Sequence, residues 1–331
     1  MIMPNYNHGH YLIETLDSIL GQSLKPAEVI VIDDASTDNS IEIIESVINR
    51  DPTVRLLRNE SNTGPLVAVN SGLKQATSEY VYAIAADDRI LPTFFEESVD
   101  LLEQYPQAGL CSSDMGCMDN HGNTTGEYRA GVVDQASFLS PPEILSALYQ
   151  DPAYIIGGTT IYRRSALEEA GWFPPQLLNL ADWFTERAIA FKHGACYLPK
   201  VLFVWRLAES QYSATCNKDP WKMLDVVDRA VELMESPRYR EIFPPEFVEF
   251  WCHRFGGQVI DEALANLTQR QYAFMEQIGR CVESSGVLNR LLRRSLWTVS
   301  RAALSFSRSS LKRRLRPIQK KSGARLNKKS I

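Results

Sequence analysis

Residues 28–40, Glu28-Val29-Ile30-Val31-Ile32-Asp33-Asp34-Ala35-Ser36-Thr37-Asp38-Asn39-Ser40 (EVIVIDDASTDNS), run from four consecutive β-branched residues into a cluster of short polar ones. An apolar run without alternation suits a parallel strand covered on both faces. The Ser, Thr, Asp and Asn oxygens that follow are helix-capping groups. Beyond them Ile41, Ile44, Val47 and Ile48 recur at helical spacing. A buried strand feeding directly into an amphipathic helix is one β–α unit, and its neighbours decide the fold.

Upstream, Met1-Ile2-Met3-Pro4 reads as a short strand, and Leu12, Ile13, Leu16, Ile19 and Leu20 as a helix that stops at Gly21. Downstream, VRLLRN (54–59) reads as a third strand. A helix carrying Leu66, Val69 and Leu73 follows NTGP, and YVYAIAADD (80–88) is read as the fourth strand. Three β–α units in succession require right-handed crossovers, hence a parallel sheet with helices on both faces. In such sheets ligands bind beyond the carboxyl ends of the strands. Three polar segments share that rim: PNYNHG after the first strand, DDASTD after the second and AADD after the fourth. Side-by-side carboxylates at the end of a buried strand are costly unless a positive partner meets them, which points to a bound metal ion at Asp87 and Asp88.

Past Asp88 the order changes. Phe94–Tyr105 reads as a helix, AGLCSSDM (108–115) as a strand and DNHGNTTGEY (119–128) as a hairpin-like connection. YIIGGTTIYRRSAL (154–167) is read as one strand, NLADWFTERAIAFKHG (179–194) as a helix, and ACYLPKVLFVWRL (195–207) as an extended segment. From about Cys216 to Val287 the pattern is helical, with Met223, Val226, Val227, Ala230 and Met234 on one face. No internal repeat is visible.

The 331 residues are 44% hydrophobic and 23% charged, ordinary for a globular protein with a sizeable core. No window approaches the roughly 18 uninterrupted apolar residues of a membrane span, and the start has no basic and apolar signal regions, so a cytoplasmic location is expected. Cys111, Cys117, Cys196, Cys216, Cys252 and Cys281 are widely spaced, as reduced packing thiols are. The net charge of −5 conceals a split: residues 290–331 hold 14 Lys and Arg and no acid, which leaves 21 basic against 40 acidic residues before them. Trp297, Val299, Leu304 and Phe306 interleave with arginines there. The pattern fits a helix lying on an anionic membrane surface, an unstructured tail or, less well, a nucleic-acid contact.

The set MPNYNHGHYLIETLDSILGQSLKPAEVIVIDDASTDNS, NTGPLVAVNSGLKQATSEYVYAIAADD, GGTTIYRRSALEEAGWF, LADWFTERAIAFKHG and YLPKVLFVWRLAESQYS resembles the family-2 glycosyltransferases in order and spacing over residues 1–215. The resemblance implies a GT-A-type, Rossmann-like α/β domain with a mixed, mainly parallel sheet over 1–215. A helical extension over 216–289 and the basic tail over 290–331 would follow it. It implies a nucleotide-diphospho-sugar donor (UDP- or dTDP-sugar), Mn²⁺ or Mg²⁺, inversion at the anomeric carbon, and a glycan or lipid-linked acceptor in cell-surface polysaccharide assembly. Asp33 or Asp34 would accept from the base N–H, Pro4 and Asn5 would flank the base, and Asn62 and Gly64 would bring backbone close to the nucleotide. Asp87 and Asp88 take the place of the DxD-type metal motif, with Ala85 where the common form has a carboxylate. Asp182 is the implied base, preceded by Ala181 where a glutamate is usual. Trp172 and Trp183 are candidates for sugar stacking, and Arg206 with Gln211–Ser213 for closing over the diphosphate. A nucleotide-sugar-binding protein without turnover is the competing class. A dinucleotide oxidoreductase is disfavoured because no G-x-G-x-x-G follows the first strand.

Overall fold

The computed structural model describes residues 1–259 apart from 152, 209–211 and 217. The opening β–α units form as the hydrophobic pattern requires. Strands β1 (Ile2–Asn5), β2 (Val29–Asp33) and β3 (Val54–Arg58) alternate with helices α1 (Gly9–Leu20), α2 (Ser40–Arg50) and α3 (Pro65–Leu73). The strands pair in parallel with β2 in the middle, and the register sets Asn5 beside Asp33 and Asp33 beside Arg58. These polar ends therefore share one rim.

All five residues of β2 are buried, because each face has its own cover. Val29 and Val31 join Leu12, Leu16 and Ile19 of α1 and Ile44 and Val47 of α2 in one core. On the other face α3 lies so close that a Cβ on Gly72 would stand 2.7 Å from Ile32 and 2.8 Å from Ile2. Capping crosses between units. The Asp38 carboxylate accepts from the Ser40 amide at the start of its own helix and from the Gly9 amide at the start of α1.

The second half is a mixed sheet built from β4 (Tyr80–Tyr82), β5 (Arg89–Ile90), β6 (Leu110–Met118), β7 (Thr124–Tyr128), β8 (Ser137–Leu139), β9 (Ile161–Arg163) and β10 (Ala195–Arg206). Its order is β4-β9-β6-β10-β5, with β7 on β6 and β8 on β10. The long central strands β6 and β10 are parallel, and a parallel bridge from Ile2 to Ala83 joins this sheet to the first. Helices α4 (Phe94–Gln104), α5 (Pro141–Gln150), α6 (Arg164–Glu169) and α7 (Ala181–His193) complete the layers. The architecture is the expected α/β arrangement, parallel at its centre and flanked by helices.

Two segments differ from their sequence reading. Ladder pairing in the fourth strand ends at Tyr82; after the Ala83 bridge the chain turns, and the two-residue β5 pairs antiparallel with β10. Residues 154–167 are not one strand but a 3-10 turn (Gly157–Thr159), the short β9 and then α6. The Thr159 and Thr160 hydroxyls both donate to the Ile156 carbonyl, which tightens the turn and ends strand geometry. Helix α5 follows a Ser140/Glu143 capping box.

Helices α8 (Tyr212–Cys216), α9 (Pro220–Met234) and α10 (Pro245–Trp251) follow, then a π-helical turn at Cys252–Gly256. Met223, Val226, Val227, Ala230 and Met234 are all buried, as their spacing predicts. Met1–Lys218 and Leu233–Phe247 form one compact unit, while Asp219–Glu232 and residues 248–259 lie outside it. The segment 233–247 belongs with the first unit because its aromatic rings pack there. Phe243 stacks on Phe184 at 5.0 Å, Phe247 meets Phe191 edge-on at 4.8 Å, and the Tyr239 hydroxyl donates to the Ala170 carbonyl. Among the described residues no helix is long and apolar enough to cross a membrane. The basic segment 290–331, with its membrane-surface expectation, lies outside the described residues, as does Gln211.

Phe243 is 2% exposed at the centre of that aromatic cluster. Phe243→Ala is expected to cost about 3–5 kcal/mol, read as a lower urea midpoint with an unchanged m-value.

Candidate active site

The rim of the first sheet is a laced pair of loops. Asn5 is buried at the end of β1; its amide donates to Asp33 Oδ2 at 2.8 Å and to Ser36 Oγ at 3.1 Å. Its Oδ1 is buried with no hydrogen-bond partner among the described residues. Asp33 Oδ1 accepts the Ser36 amide. Asn7 and Ala35 hold the left-handed backbone region, at φ 56° and 65°, where non-glycine residues are uncommon and cluster at functional sites. Asn7 Oδ1 accepts from the Thr37 amide at 2.7 Å, which ties the β1–α1 loop to the β2–α2 loop. Pro4 sits in β1 opposite Ile32.

Asp33 and Asp34, equivalent in sequence, have different environments. Asp34 accepts from the Asn59 side chain at 2.7 Å, the Thr63 amide and hydroxyl, and the Gly64 amide at 2.8 Å. Burial alone would push its carboxyl up, but these donors outweigh that and hold it below the ordinary carboxylate value. Asp34 thus folds the 59–64 loop over the end of β2. Gly64 adopts φ 89°, a conformation that favours glycine, and its amide also reaches Asn62 Oδ1 at 3.1 Å.

Asp87 and Asp88 are buried at the turn after the fourth strand, 3% and 6% exposed. The turn is held from two sides. From α1, the Thr15 hydroxyl donates to the Ala86 and Asp88 carbonyls at 2.9 and 2.8 Å. From the end of β10, the Arg206 amide donates to Asp88 Oδ1 at 2.9 Å and its Nε to the Asp87 carbonyl at 2.8 Å. The same guanidinium donates to the Asp119 and Asn120 carbonyls, pairs with Glu14 at 2.6 Å and lies 4.4 Å from the Tyr11 ring. At 1% exposure Arg206 is a buried clamp on the acidic turn. Burial and the adjacent Asp87 carboxylate push the Asp88 carboxyl well above its ordinary value, against the pull of Arg206. Sequence reasoning missed Thr15, Glu14 and this clamp, because Arg206 meets the turn across more than a hundred residues.

Asp182 opens α7 and accepts its neighbour Trp183's amide at 2.7 Å. The carboxylate abuts the 3-10 turn: a Cβ on Gly157 would stand 2.2 Å from Asp182 Oδ2, so a larger residue there would displace the carboxylate. One residue on, the Gly158 carbonyl accepts from the Tyr82 hydroxyl at 2.8 Å. The fourth strand that carries Asp87 and Asp88 is thereby joined to the turn that carries Asp182. Burial pushes the Asp182 carboxyl up, countered by the Trp183 amide and Arg187. Glu186 and Arg187, one turn on, are both buried and were not singled out in the sequence, where no local pattern marks them. Trp183 lies under the Arg187 guanidinium and beside Phe247, a packed position. Trp172 adopts φ 65°, and its carbonyl accepts from the Thr185 hydroxyl.

This arrangement, a polar strand-end rim with an acidic turn and a separate carboxylate on a GT-A-type frame, defines a class, and comparison places the chain in it. Residues 1–171 match the model of glycosyl transferase family 2, and the chain belongs to that family. It is 37% identical over 146 residues to the uncharacterized glycosyltransferase YibD of Escherichia coli, an overlap of 44% of this chain and 42% of that protein. It is 33% identical over 135 residues to the glycosyltransferase GlyG of Streptococcus pneumoniae, covering 41% and 44%. The chain thus spans under half the length of these curated relatives. Among solved structures, S. aureus TarS 1-349 in complex with UDP superposes with a TM-score of 0.63 at 20% identity, covering 82% of this chain and 75% of that one. The mannosyltransferase PcManGT of Pyrobaculum calidifontis, in complex with GDP-Man and Mn²⁺, superposes at 0.55 and 21%, covering 86% and 80%. These likenesses support the fold.

Two outcomes test the local geometry. Arg206→Met should lower the melting temperature sharply, because the Glu14 carboxylate and three carbonyls lose a buried partner, while Arg206→Lys recovers only part of the loss. The lowered Asp34 value means that its contribution is present above the unfolded value of 3.8 and is lost as pH falls through the folded one. Asp34→Asn should therefore reduce stability at pH 7 and flatten the acid limb below about pH 4, read by thermal melts across pH.

Proposed function

We propose that this protein is an inverting glycosyltransferase that moves a sugar from a UDP- or dTDP-sugar to a hydroxyl acceptor in cell-surface polysaccharide or glycan assembly. The observation that carries the reading is the buried Asp87–Asp88 pair at the rim, where burial disfavours the charge of Asp88. Two adjacent buried carboxylates fit a hard divalent cation bound through oxygen. Among the described residues no group of three or more His, Cys, Asp or Glu side chains gathers to hold one, so Asp87 and Asp88 would share the ion with the donor's diphosphate. Mn²⁺ or Mg²⁺ bound there supplies Lewis-acid stabilisation of the leaving nucleoside diphosphate.

The remaining work falls to the chain's own groups. The rim around Pro4, Asn5, Asp33 and Asp34 receives the base, and the buried, unpartnered Asn5 Oδ1 is an acceptor suited to a ligand N–H or O–H. Asn62 and Gly64, folded over by Asp34, bring backbone to the nucleotide. Arg206 holds the acidic turn in place, a positioning role instead of direct contact with the diphosphate. Asp182 takes the acceptor hydroxyl's proton as its oxygen bonds to the sugar's anomeric carbon. The bond to the diphosphate oxygen breaks on the opposite face, and its electron pair leaves with the nucleoside diphosphate. A carboxylate can serve because the hydroxyl becomes acidic only in the transition state. TarS, solved in complex with UDP-GlcNAc, supports a uridine nucleotide. A second reading, donor binding without turnover, is favoured by Ala85 and Ala181, which stand where the family pattern has carboxylates.

A thermal-shift panel of nucleotide sugars with and without Mn²⁺ should show one UDP- or dTDP-sugar raising the melting temperature, more so with metal. Asp87→Asn with Asp88→Asn should erase the metal increment. Asp182→Asn should reduce transfer by about 10²-fold or more with donor affinity unchanged. Donor binding with neither transfer nor hydrolysis on any acceptor would favour the second reading.

A further inference from the structure

Helix α1 packs Leu12, Leu16 and Ile19 into the core, yet its buried side also carries a polar residue. Thr15 is fully buried, and its hydroxyl donates outside its own helix, to the Ala86 carbonyl at 2.9 Å and the Asp88 carbonyl at 2.8 Å. Further along the helix, Ser18 Oγ accepts the Ile90 amide at 3.4 Å. Just past the helix end, Gln22 Nε2 donates to the Leu91 carbonyl at 2.8 Å, and its Oε1 accepts the Phe95 amide at 3.2 Å. Positions 15, 18 and 22 thus form a polar stripe that follows the chain from Ala86 to Phe95. A polar side chain kept out of water amid apolar ones is the informative exception to burial by hydrophobicity.

The stripe divides by what it holds. Ser18 and Gln22 bind backbone beyond the acidic residues, whereas Thr15 binds the acidic turn itself, and its two acceptors flank Asp87. The carbonyl between them, that of Asp87, accepts from Arg206 Nε at 2.8 Å. Three successive carbonyls are therefore taken alternately by α1 and by the end of β10, and the Asp88 amide closes the turn on the Ala85 carbonyl at 3.3 Å. Ladder pairing cannot supply this restraint, because it ends at Tyr82 and resumes at Arg89. The side-chain bonds fix the backbone on both sides of Asp87, and with it the angle at which the neighbouring carboxylates leave the chain.

We propose that Thr15 is a positioning residue for a divalent cation at Asp87 and Asp88: its hydroxyl, bridging the carbonyls on either side of Asp87, sets the spacing of the two carboxylates that hold the ion. The inference rests on the reading of this pair as the metal site. Contacts that orient ligating carboxylates tune metal affinity. Among the described residues no third His, Cys, Asp or Glu gathers there to absorb a misplacement. Helix α1 also begins at Gly9, whose amide is held by Asp38 of the neighbouring loop. One helix therefore sets the distance between the rim proposed to take the base and the turn proposed to take the ion.

The test titrates Mn²⁺ into the full chain with saturating UDP, followed by water-proton relaxation at a temperature where each variant is folded. The melting temperature is recorded in parallel without metal. Thr15→Val keeps the shape and removes the donor, and it should weaken Mn²⁺ binding by about tenfold or more. Thr15→Ser, which keeps the hydroxyl, should restore most of the wild-type affinity. Gln22→Met should lower the melting temperature but leave Mn²⁺ affinity unchanged, which separates positioning of the pair from support of the fold. Unchanged affinity in folded Thr15→Val, or equal losses in Thr15→Val and Gln22→Met, overturns the proposal. If Thr15→Val does not fold, Thr15→Cys decides: its thiol is a poorer donor of similar size, and an unmoved Mn²⁺ affinity there overturns the proposal as well. Failure of the metal reading shows separately. A wild-type chain that takes up no Mn²⁺, or a variant with Asp87→Asn and Asp88→Asn that keeps wild-type affinity, sinks the site and the proposal with it.

Discussion

The site depends on one buried cation. Arg206 ends the longest strand of the second sheet, and from that point its amide and guanidinium reach the turn carrying Asp87 and Asp88, the hairpin carbonyls of Asp119 and Asn120, and Glu14 of the first helix. These groups belong to three separate stretches of chain. Without that shared partner the buried Asp87–Asp88 turn would have polar atoms to satisfy on its own. The planar fork of donors resolves all of them at once, a task that a lysine ammonium does not match in geometry. Two adjacent carboxylates can therefore be kept out of water at the sheet rim without collapse of the turn that presents them.

A second constraint joins the halves of the site. The Tyr82 hydroxyl bonds the carbonyl of Gly158, and Gly157 lies against Asp182. The strand that positions the acidic turn and the helix that carries Asp182 are thereby referenced to the same 3-10 turn. Small displacements of that turn move Asp182 relative to the acidic pair.

Much of this was legible in the sequence because it is local. The strand at Val29–Asp33, the helices after it and the polar rim follow from periodicity and capping chemistry, which operate over a few residues. The carboxylates of the rim were legible as well, since charges at the end of an apolar strand stand out in any window. What escaped was non-local. Asp33 and Asp34 look alike in sequence, yet one bonds within its own loop and with Asn5 while the other organises residues 59–64. Residues 154–167 carry β-branched side chains that favour a strand, but threonine hydroxyls turning back to Ile156 and the close approach of Asp182 favour a turn. The Arg206 clamp and the Thr15 bonds to the acidic turn depend on contacts between distant stretches of chain, which no spacing rule encodes.

The lacing of the first two loops limits how such a site can change. Asn7 receives the Thr37 amide, and Asp38 receives the first amide of α1, so neither loop has a conformation of its own to conserve or to lose. Variation at this rim must then proceed in matched pairs. A loop transplanted singly from a relative arrives without the counterpart that shapes it, whereas exchange of the two together carries the whole interlock. For anyone redesigning this rim, the unit of modularity is the pair of loops.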